Sequence, residues 1–347
     1  MRVSDRSTAR NYLKHLHKSQ YQYALTNQRI ATGKRFTKLS DDVSAGSRVL
    51  RLRMDRYKAE KQLENAKEAN SKLRVTEDNM VAINSILTTV YSNKVIRALN
   101  DPTSDEGRTI YASEIRSLMA EFLQYANASY GKMFNIGGTN AMSGPFTVGT
   151  DGRILYNGVN VDSIQRDAAS GEYYYEVGAD RIEVPMNKDI YYDVGLGITM
   201  AKDEINDATA FKVSYSGLEV LGFGVDDDGL SNNLYNVMYE LQRYIDTTDA
   251  GEGFDRASVE KWHTKMRTLM DVYRVNLTDI GVKTKFLEAT VERLEASIDN
   301  QTVKIDDLMG VKDAEEATHQ MMNDYVLKAV LQLGSRVLPL SLMDFVK

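Results

Sequence analysis

Apolar residues recur at alternating steps of three and four along both ends of the chain, the spacing of a helix that packs on another helix. Leu13, Leu16, Gln20, Tyr23, Asn27 and Ile30 mark a first helix, with polar Gln20 and Asn27 interrupting its stripe. Gly33 fits a helix stop, and residues 34–46 read as irregular. Residues 47–99 predict a second helix, with the stripe Ala59, Leu63, Ala66, Asn70, Leu73, Glu77, Met80, Asn84, Leu87 and Tyr91. Asn100-Asp101-Pro102 breaks it. A third helix carries Tyr111, Ile115, Leu118, Phe122 and Tyr125. Helix returns with Leu230, Leu234, Val237, Leu241 and Tyr244, and breaks at residues 249–253. The cleanest stripe then runs Met266, Leu269, Tyr273, Asn276, Ile280, Lys283, Leu287, Val291, Leu294, Ile298, Gln301, Ile305 and Leu308. Ala317, Met321, Tyr325, Val330 and Leu333 mark a last helix over 313–337.

Between these ends the period changes. Phe146-Thr-Val, Arg153-Ile-Leu-Tyr, Tyr173-Tyr-Tyr-Glu-Val, Arg181-Ile-Glu-Val and Phe211-Lys-Val-Ser-Tyr are short, β-branched and aromatic, and Asn157-Gly158 is a hairpin-turn signal. The fold class expected is mainly α with a β-rich insertion: long antiparallel N- and C-terminal helices in a coiled-coil-like bundle around a small central β domain. The expected divisions are 1–46, 47–140, 141–228, 229–310 and 311–347. A chain that goes out and comes back brings its termini side by side.

Composition narrows the chemistry. Net charge is −6 with no acidic or basic block, so nucleic acid and anionic membranes are not expected partners. There is no Cys, which removes disulfides, thiolate metal sites and Cys nucleophiles. Residues 1–5 begin no signal peptide, and no stretch is long and apolar enough to insert in a bilayer. His15 and His17 are two apart, which points them to different faces of a helix, and neither they nor His263 and His319 form a metal-binding pattern. Asp226-Asp227-Asp228-Gly229 could attract a hard cation, but lacks EF-hand spacing, and an acidic turn capping a helix from Leu230 explains it more simply. Gly137-Gly138 and Gly195-Leu196-Gly197 lack the frame of a phosphate loop, and no nucleophile elbow or acid/base pair stands out. No catalytic, cofactor or metal site is expected. The tyrosines read as packing and interface material.

Asn27-Gln-Arg-Ile-Ala-Thr-Gly-Lys-Arg-Phe-Thr-Lys-Leu-Ser-Asp-Asp42 resembles the "L..RI.(S/T)GKR...(P/A).DD" segment of bacterial flagellin-like proteins. Within that superfamily the chain is most similar to the hook-associated protein 3 family, the hook–filament junction proteins. The opening Met1-Arg2-Val3-Ser4 is similar to that family's start. Residues 127–138 resemble its "N....G.Y.F.G" segment, Asp313-Ala-Glu-Glu-Ala317 its "D.AEA", and Leu340-Ser-Leu-Met-Asp-Phe-Val346 its "SLLDFL" ending, where flagellins end in a Leu-Leu-Arg-like tail. Val43 stands where the junction family usually has Pro, and residues 141–228 match little beyond Tyr156-Asn-Gly158.

The resemblance implies a structural, non-enzymatic protein. Its partners would be copies of itself, hook-associated protein 1, flagellin and a cytoplasmic export chaperone. It would reach the flagellum through the type III export channel without a cleaved signal. Its terminal helices would be mobile in the monomer and form inner layers on assembly, with the middle domain outside. On this reading Leu13, Leu16 and Ile30 pair with the Val330, Leu333 and Val337 region, and Leu340, Leu342 and Phe345 complete the assembly interface. An outer layer pairs Leu63, Leu73 and Leu87 with Leu287, Leu294 and Ile298, and residues 33–42 connect the layers. The alternatives are a flagellin filament subunit and a surface adhesin whose β domain holds a ligand.

Overall fold

The computed structural model describes residues 2–100, 103–140, 143–168, 171–178, 180–201, 204–205, 209–248 and 253–337. The chain divides into two compact units: residues 1–60 with 295–347, and residues 61–294.

In the first unit, α1 (Arg2–Thr32) ends where Gly33 takes φ +63°, a left-handed stop that a Cβ would strain. The chain then crosses to the turn that ends a much later helix. The Arg35 amide donates to the Met309 carbonyl (2.7 Å), and the Val311 amide donates to the Gly33 carbonyl (3.1 Å). Asp42 caps the next helix, α2 (Val43–Thr89), by accepting from the Ala45 amide at 2.9 Å. Val43 therefore lies in the first turn, where a proline is tolerated without losing a hydrogen bond. Phe36, Ala45 and Val49 bury against Ile305 and Met309, with Leu52 and Leu308 at the margin.

The second unit contains the rest of α2, which passes through a π-helical turn at Val90–Val95 into α3 (Ile96–Leu99). The sequence pattern gives no sign of that turn. Helix α4 (Asp105–Ala126) starts on Ser104, whose hydroxyl accepts from the Gly107 amide at 3.2 Å. Short antiparallel strands follow. β1 (Ser129–Tyr130) pairs with β2 (Met133–Phe134). β3 (Phe146–Val148), β4 (Ile154–Tyr156) and β5 (Val159–Asn160) form one sheet. β6 (Ile164–Arg166), β7 (Tyr173–Val177) and β8 (Asp180–Glu183) form another. β9 (Tyr191–Tyr192) pairs with β12 (Phe211–Lys212), and β10 (Met200–Ala201) with β11 (Glu204–Ile205). Asn157 and Gly158 take φ +49° and +85°, the primed turn that their dipeptide predicts.

Helix α5 (Gly217–Leu221) precedes α6 (Leu234–Ile245). The expected helix start at Leu230 is corrected to Leu234. Asn233 caps α6, its Oδ1 accepting from the Tyr235 amide at 3.0 Å. Asp226 instead folds its own turn, accepting from the Leu230 amide at 2.8 Å, and pairs with the Lys265 ammonium at 2.7 Å. These bonds hold its carboxyl below the usual range, the Lys265 bond foremost. The chain returns through α7 (Arg256–Met309) and α8 (Asp313–Val337).

The core of the second unit is mainly aliphatic and aromatic. Leu73, Leu87, Val90, Ile115, Phe122, Tyr156, Ile280 and Leu287 are fully buried. No member of the long α7 stripe from Met266 to Leu308 is exposed, as its unbroken spacing predicts. Tyr273 places its hydroxyl on the Met80 carbonyl at 2.8 Å, so α2 Met80 lies level with α7 Tyr273. Leu87, further along α2, is thus level with the start of α7 and not with Leu287. By the same register Leu73 is level with Ile280, and Arg74 reaches along the helix pair to Glu288 at 2.8 Å. The β region is tied to the helices by polar side chains: Arg153 meets Asp162 and Glu240, both at 2.7 Å, and Asn236 accepts from the Ile154 amide at 2.9 Å.

Candidate assembly surface

The residues expected to assemble belong to α1 and α8. The two helices run antiparallel, and their cross-links set the register. Arg29 pairs with Glu316 at 3.4 Å, the Gln320 amide donates to Asn27 at 2.6 Å, and the Asn323 amide donates to the Thr26 hydroxyl at 2.8 Å. At the other end Tyr12 lies against Gly334, so closely that a Cβ there would meet its hydroxyl.

The seam between α1 and α8 mixes polar and apolar side chains. On α1 the sheltered positions are Ala9, Tyr12, Leu16, Ser19, Tyr23 and Thr26, and on α8 Glu316, Gln320, Asn323, Leu327, Val330 and Gly334. Both sets keep the three-four alternation of a coiled coil. On α1 the seam lies one position away from the apolar stripe read in the sequence at two places: Tyr12 replaces Leu13 and Ser19 replaces Gln20, while Thr26 joins Asn27 in it. On α8 the shift is similar. Gln320 and Asn323 point inward, while Met321 and Tyr325 are 72% and 75% exposed.

The expected interface residues therefore separate. Leu16 and Val330 are half-buried and level with each other. Leu13 and Leu333 are also level but exposed. Ile30, exposed too, lies at the opposite end, near the Arg29–Glu316 pair, and so is not brought to Val330 or Val337. Val337 ends α8, with its side chain outside the described residues, where Leu340, Leu342 and Phe345 also lie.

An outward apolar set remains: Leu13, Tyr21 and Ile30 on α1, with Met321, Met322, Tyr325 and Leu333 on α8. Such a set on a two-helix element has no layer of its own to cover it. A groove of about 450 Å³ runs between the helices, lined by Tyr12, His15, Gln22, Val326, Val330 and Leu333. His15 is thereby placed in a helix groove, away from any cluster of metal-binding type. Among the described residues no group of His, Asp and Glu has a metal-holding arrangement, and no helix is long and apolar enough to cross a membrane.

Residues 3–140 match the sequence family described as the bacterial flagellin N-terminal helical region. No curated protein matches the chain. Among solved structures, a flagellar hook-associated protein from Vibrio parahaemolyticus superposes with a TM-score of 0.57 at 16% identity, covering 78% of this chain and 100% of its own. FlgL from Bacillus cereus matches at 15% identity over 75% of this chain and 98% of its own, with a TM-score of 0.47. Hook-associated protein 3 from Legionella pneumophila matches at 14% identity over 74% and 98%, with a TM-score of 0.48. The match to the flagellin N-terminal helical region thus covers residues 3–140, and the chain shares the fold of a flagellar hook-associated protein.

Proposed function

We propose that this protein is a structural component of the bacterial flagellum, the adaptor between hook-associated protein 1 and the flagellin filament. The observation that carries the reading is the apolar set left exposed on α1 and α8, Leu13, Tyr21 and Ile30 with Met321, Met322, Tyr325 and Leu333, outside a seam that is half polar. A monomer gains nothing from that arrangement, whereas a layer of neighbouring copies would bury the outer set. The junction-like ending at residues 340–346 favours the adaptor over a filament subunit.

On this reading residues 1–46 and 311–347 form the inner layer, 47–140 and 229–310 the surrounding bundle, and 141–228 the outer domain. Leu13, Leu16, Ile30, Val330, Leu333, Val337, Leu340, Leu342 and Phe345 contribute to contacts between subunits. One end of the assembled layer matches the hook-side neighbour and the other matches flagellin, so recognition is a matter of helix register and charge rather than catalysis. Export proceeds through the flagellar type III channel, with a cytoplasmic chaperone covering the terminal helices beforehand.

The test is the morphology of a strain lacking this chain. The reading requires bare hooks, flagellin shed into the medium, and lost motility restored by the gene in trans. Normal filaments in the deletion strain would exclude the adaptor role.

A further inference from the structure

A second apolar surface lies on α2, apart from the α1–α8 pair but within the same compact unit. The segment of α2 that buries Ala45 and Val49 carries Met54 on its opposite side, 71% exposed. Arg51 and Lys58 flank it, both exposed, and neither pairs with a carboxylate among the described residues. On α7, the outer side of the segment that buries Ile305 carries Val303, 59% exposed. Asp299 and Asp306 flank it, exposed and without a cationic partner among the described residues.

The two triplets are complementary in charge and in spacing. Arg51–Met54–Lys58 steps by three and then four, and Asp299–Val303–Asp306 by four and then three. Laid antiparallel, one sequence of steps reverses into the other. Arg51 then meets Asp306, Met54 meets Val303 and Lys58 meets Asp299. The outer charges stand seven residues apart on both helices, about 10 Å of axial rise. Within one chain Met54 and Val303 occupy the outward sides of helices whose inner sides pack together, so they cannot meet, while Arg51 and Asp306 stand at the flanks of those helices.

We propose that the α2 triplet of one copy docks on the α7 triplet of a second copy. The contact deepens the assembly reading above and rests on it. It is heterologous, because the two surfaces differ. Repetition therefore builds a ring or a helical layer rather than a closed dimer. The exposed ion pairs contribute little affinity, but they fix register and polarity, and Met54 against Val303 supplies the dry centre.

The lack of cysteine makes the contact directly testable in the full-length chain. The variant Met54→Cys with Val303→Cys, concentrated and oxidised, should give a ladder of disulfide-linked multimers, and each single-cysteine variant should not. Adding Arg51→Glu and Lys58→Glu should reduce the ladder roughly fivefold to tenfold, as reversal of two exposed pairs implies. Adding Asp299→Lys and Asp306→Lys as well should restore it. Circular dichroism identifies any variant that fails to fold, and the charge variants substitute only exposed positions. Absence of the ladder, or a charge reversal that the compensating pair does not rescue, overturns the contact. The same oxidation on cells separates the two conclusions: swimming cells with intact filaments but no ladder reject this interface and leave the adaptor role standing. A ladder from purified protein in a strain whose filaments do not need this chain does the reverse.

Discussion

The two compact units solve the packing problem in opposite ways. Residues 61–294 fill their interior with large side chains that no solvent reaches, Leu73, Phe122, Tyr156, Tyr273 and Leu287 among them. Several of their buried polar groups are tied in place, as in the Arg153 pair with Asp162 and Glu240. Residues 1–60 with 295–347 have one small cluster around Phe36, Val49 and Ile305, then a long helix pair joined through Thr26, Asn323, Gln320 and Glu316. The first arrangement makes a stable fold in a monomer. The second leaves apolar area outside and makes stability conditional on neighbours. The assembly reading rests on this contrast, and the same substitution placed in each unit tests it.

Leu287→Asp should produce the largest effect. It puts a carboxylate into a fully buried position of α7 with no cation opposite, at a cost on the order of 3–5 kcal/mol. Met321→Asp on the outer side of α8 should leave the monomer within about 0.5 kcal/mol of its parent. Urea titration of both purified variants measures the difference. Equal destabilisation by the two would end the argument that α8 turns its methionines outward. Brief proteolysis of the parent should agree, trimming both termini while a fragment near residues 61–294 persists.

The architecture was largely legible in the sequence because long stripes survive local noise. The α7 stripe from Met266 to Leu308 has one register, and every member is sheltered. The strands at Phe146, Ile154 and Tyr173 were marked by β-branched and aromatic runs, and the Asn157-Gly158 turn by its own chemistry. The α1–α8 register was not legible, because a pattern method assigns apolar residues to the nearest seam. Here Ser19 and Thr26 take that seam and Leu13 lies beside it. The start of α6 was missed for a related reason. Leu230 continues the apolar spacing, but Asn233 has the side chain that satisfies the first free amides. The Val90–Val95 π-turn leaves no compositional trace at all. The exposure of Arg51, Lys58, Asp299 and Asp306 is likewise something that spacing alone does not give.

A medium-sized effect should follow from making the terminal seam resemble the core. Thr26→Val with Asn323→Leu removes both partners of a hydrogen bond at once, so no polar group is left stranded. Apolar side chains at such positions strengthen a helix pair, while polar ones trade stability for register. The double variant should stabilise the α1–α8 pair by about 1 kcal/mol, read as slower amide exchange in both helices, with no change in residues 61–294. It should also weaken assembly, since a pair that tolerates other registers presents Leu13 and Met321 less consistently. Unchanged exchange in α1 and α8 would show that the polar seam does not limit their stability.

The smallest effect concerns pH and lies wholly in the second unit. His263 stacks on Tyr91, with ring centres 4.1 Å apart and an interplanar angle of 9°. Its Nε2 is 3.1 Å from the Tyr91 carbonyl, in the π-turn, and that bond requires a hydrogen on Nε2. Burial pushes the imidazolium pKa down, and the bond to Tyr91 offsets part of that. The folded chain therefore holds its proton less readily than the unfolded chain. Stability from this residue is fully present above the ordinary histidine pKa of about 6.5 and is lost as pH falls through the lower folded value. His263→Gln keeps a donor for the Tyr91 carbonyl and removes the titration. Melting temperatures taken from pH 7.5 down to 5 should decline less steeply in this variant than in the parent. The two curves should converge at the acid end relative to their offset at neutral pH. Parallel curves would mean that His263 titrates alike in the folded and unfolded chain, and that its stack on Tyr91 does not discriminate between the two protonation states.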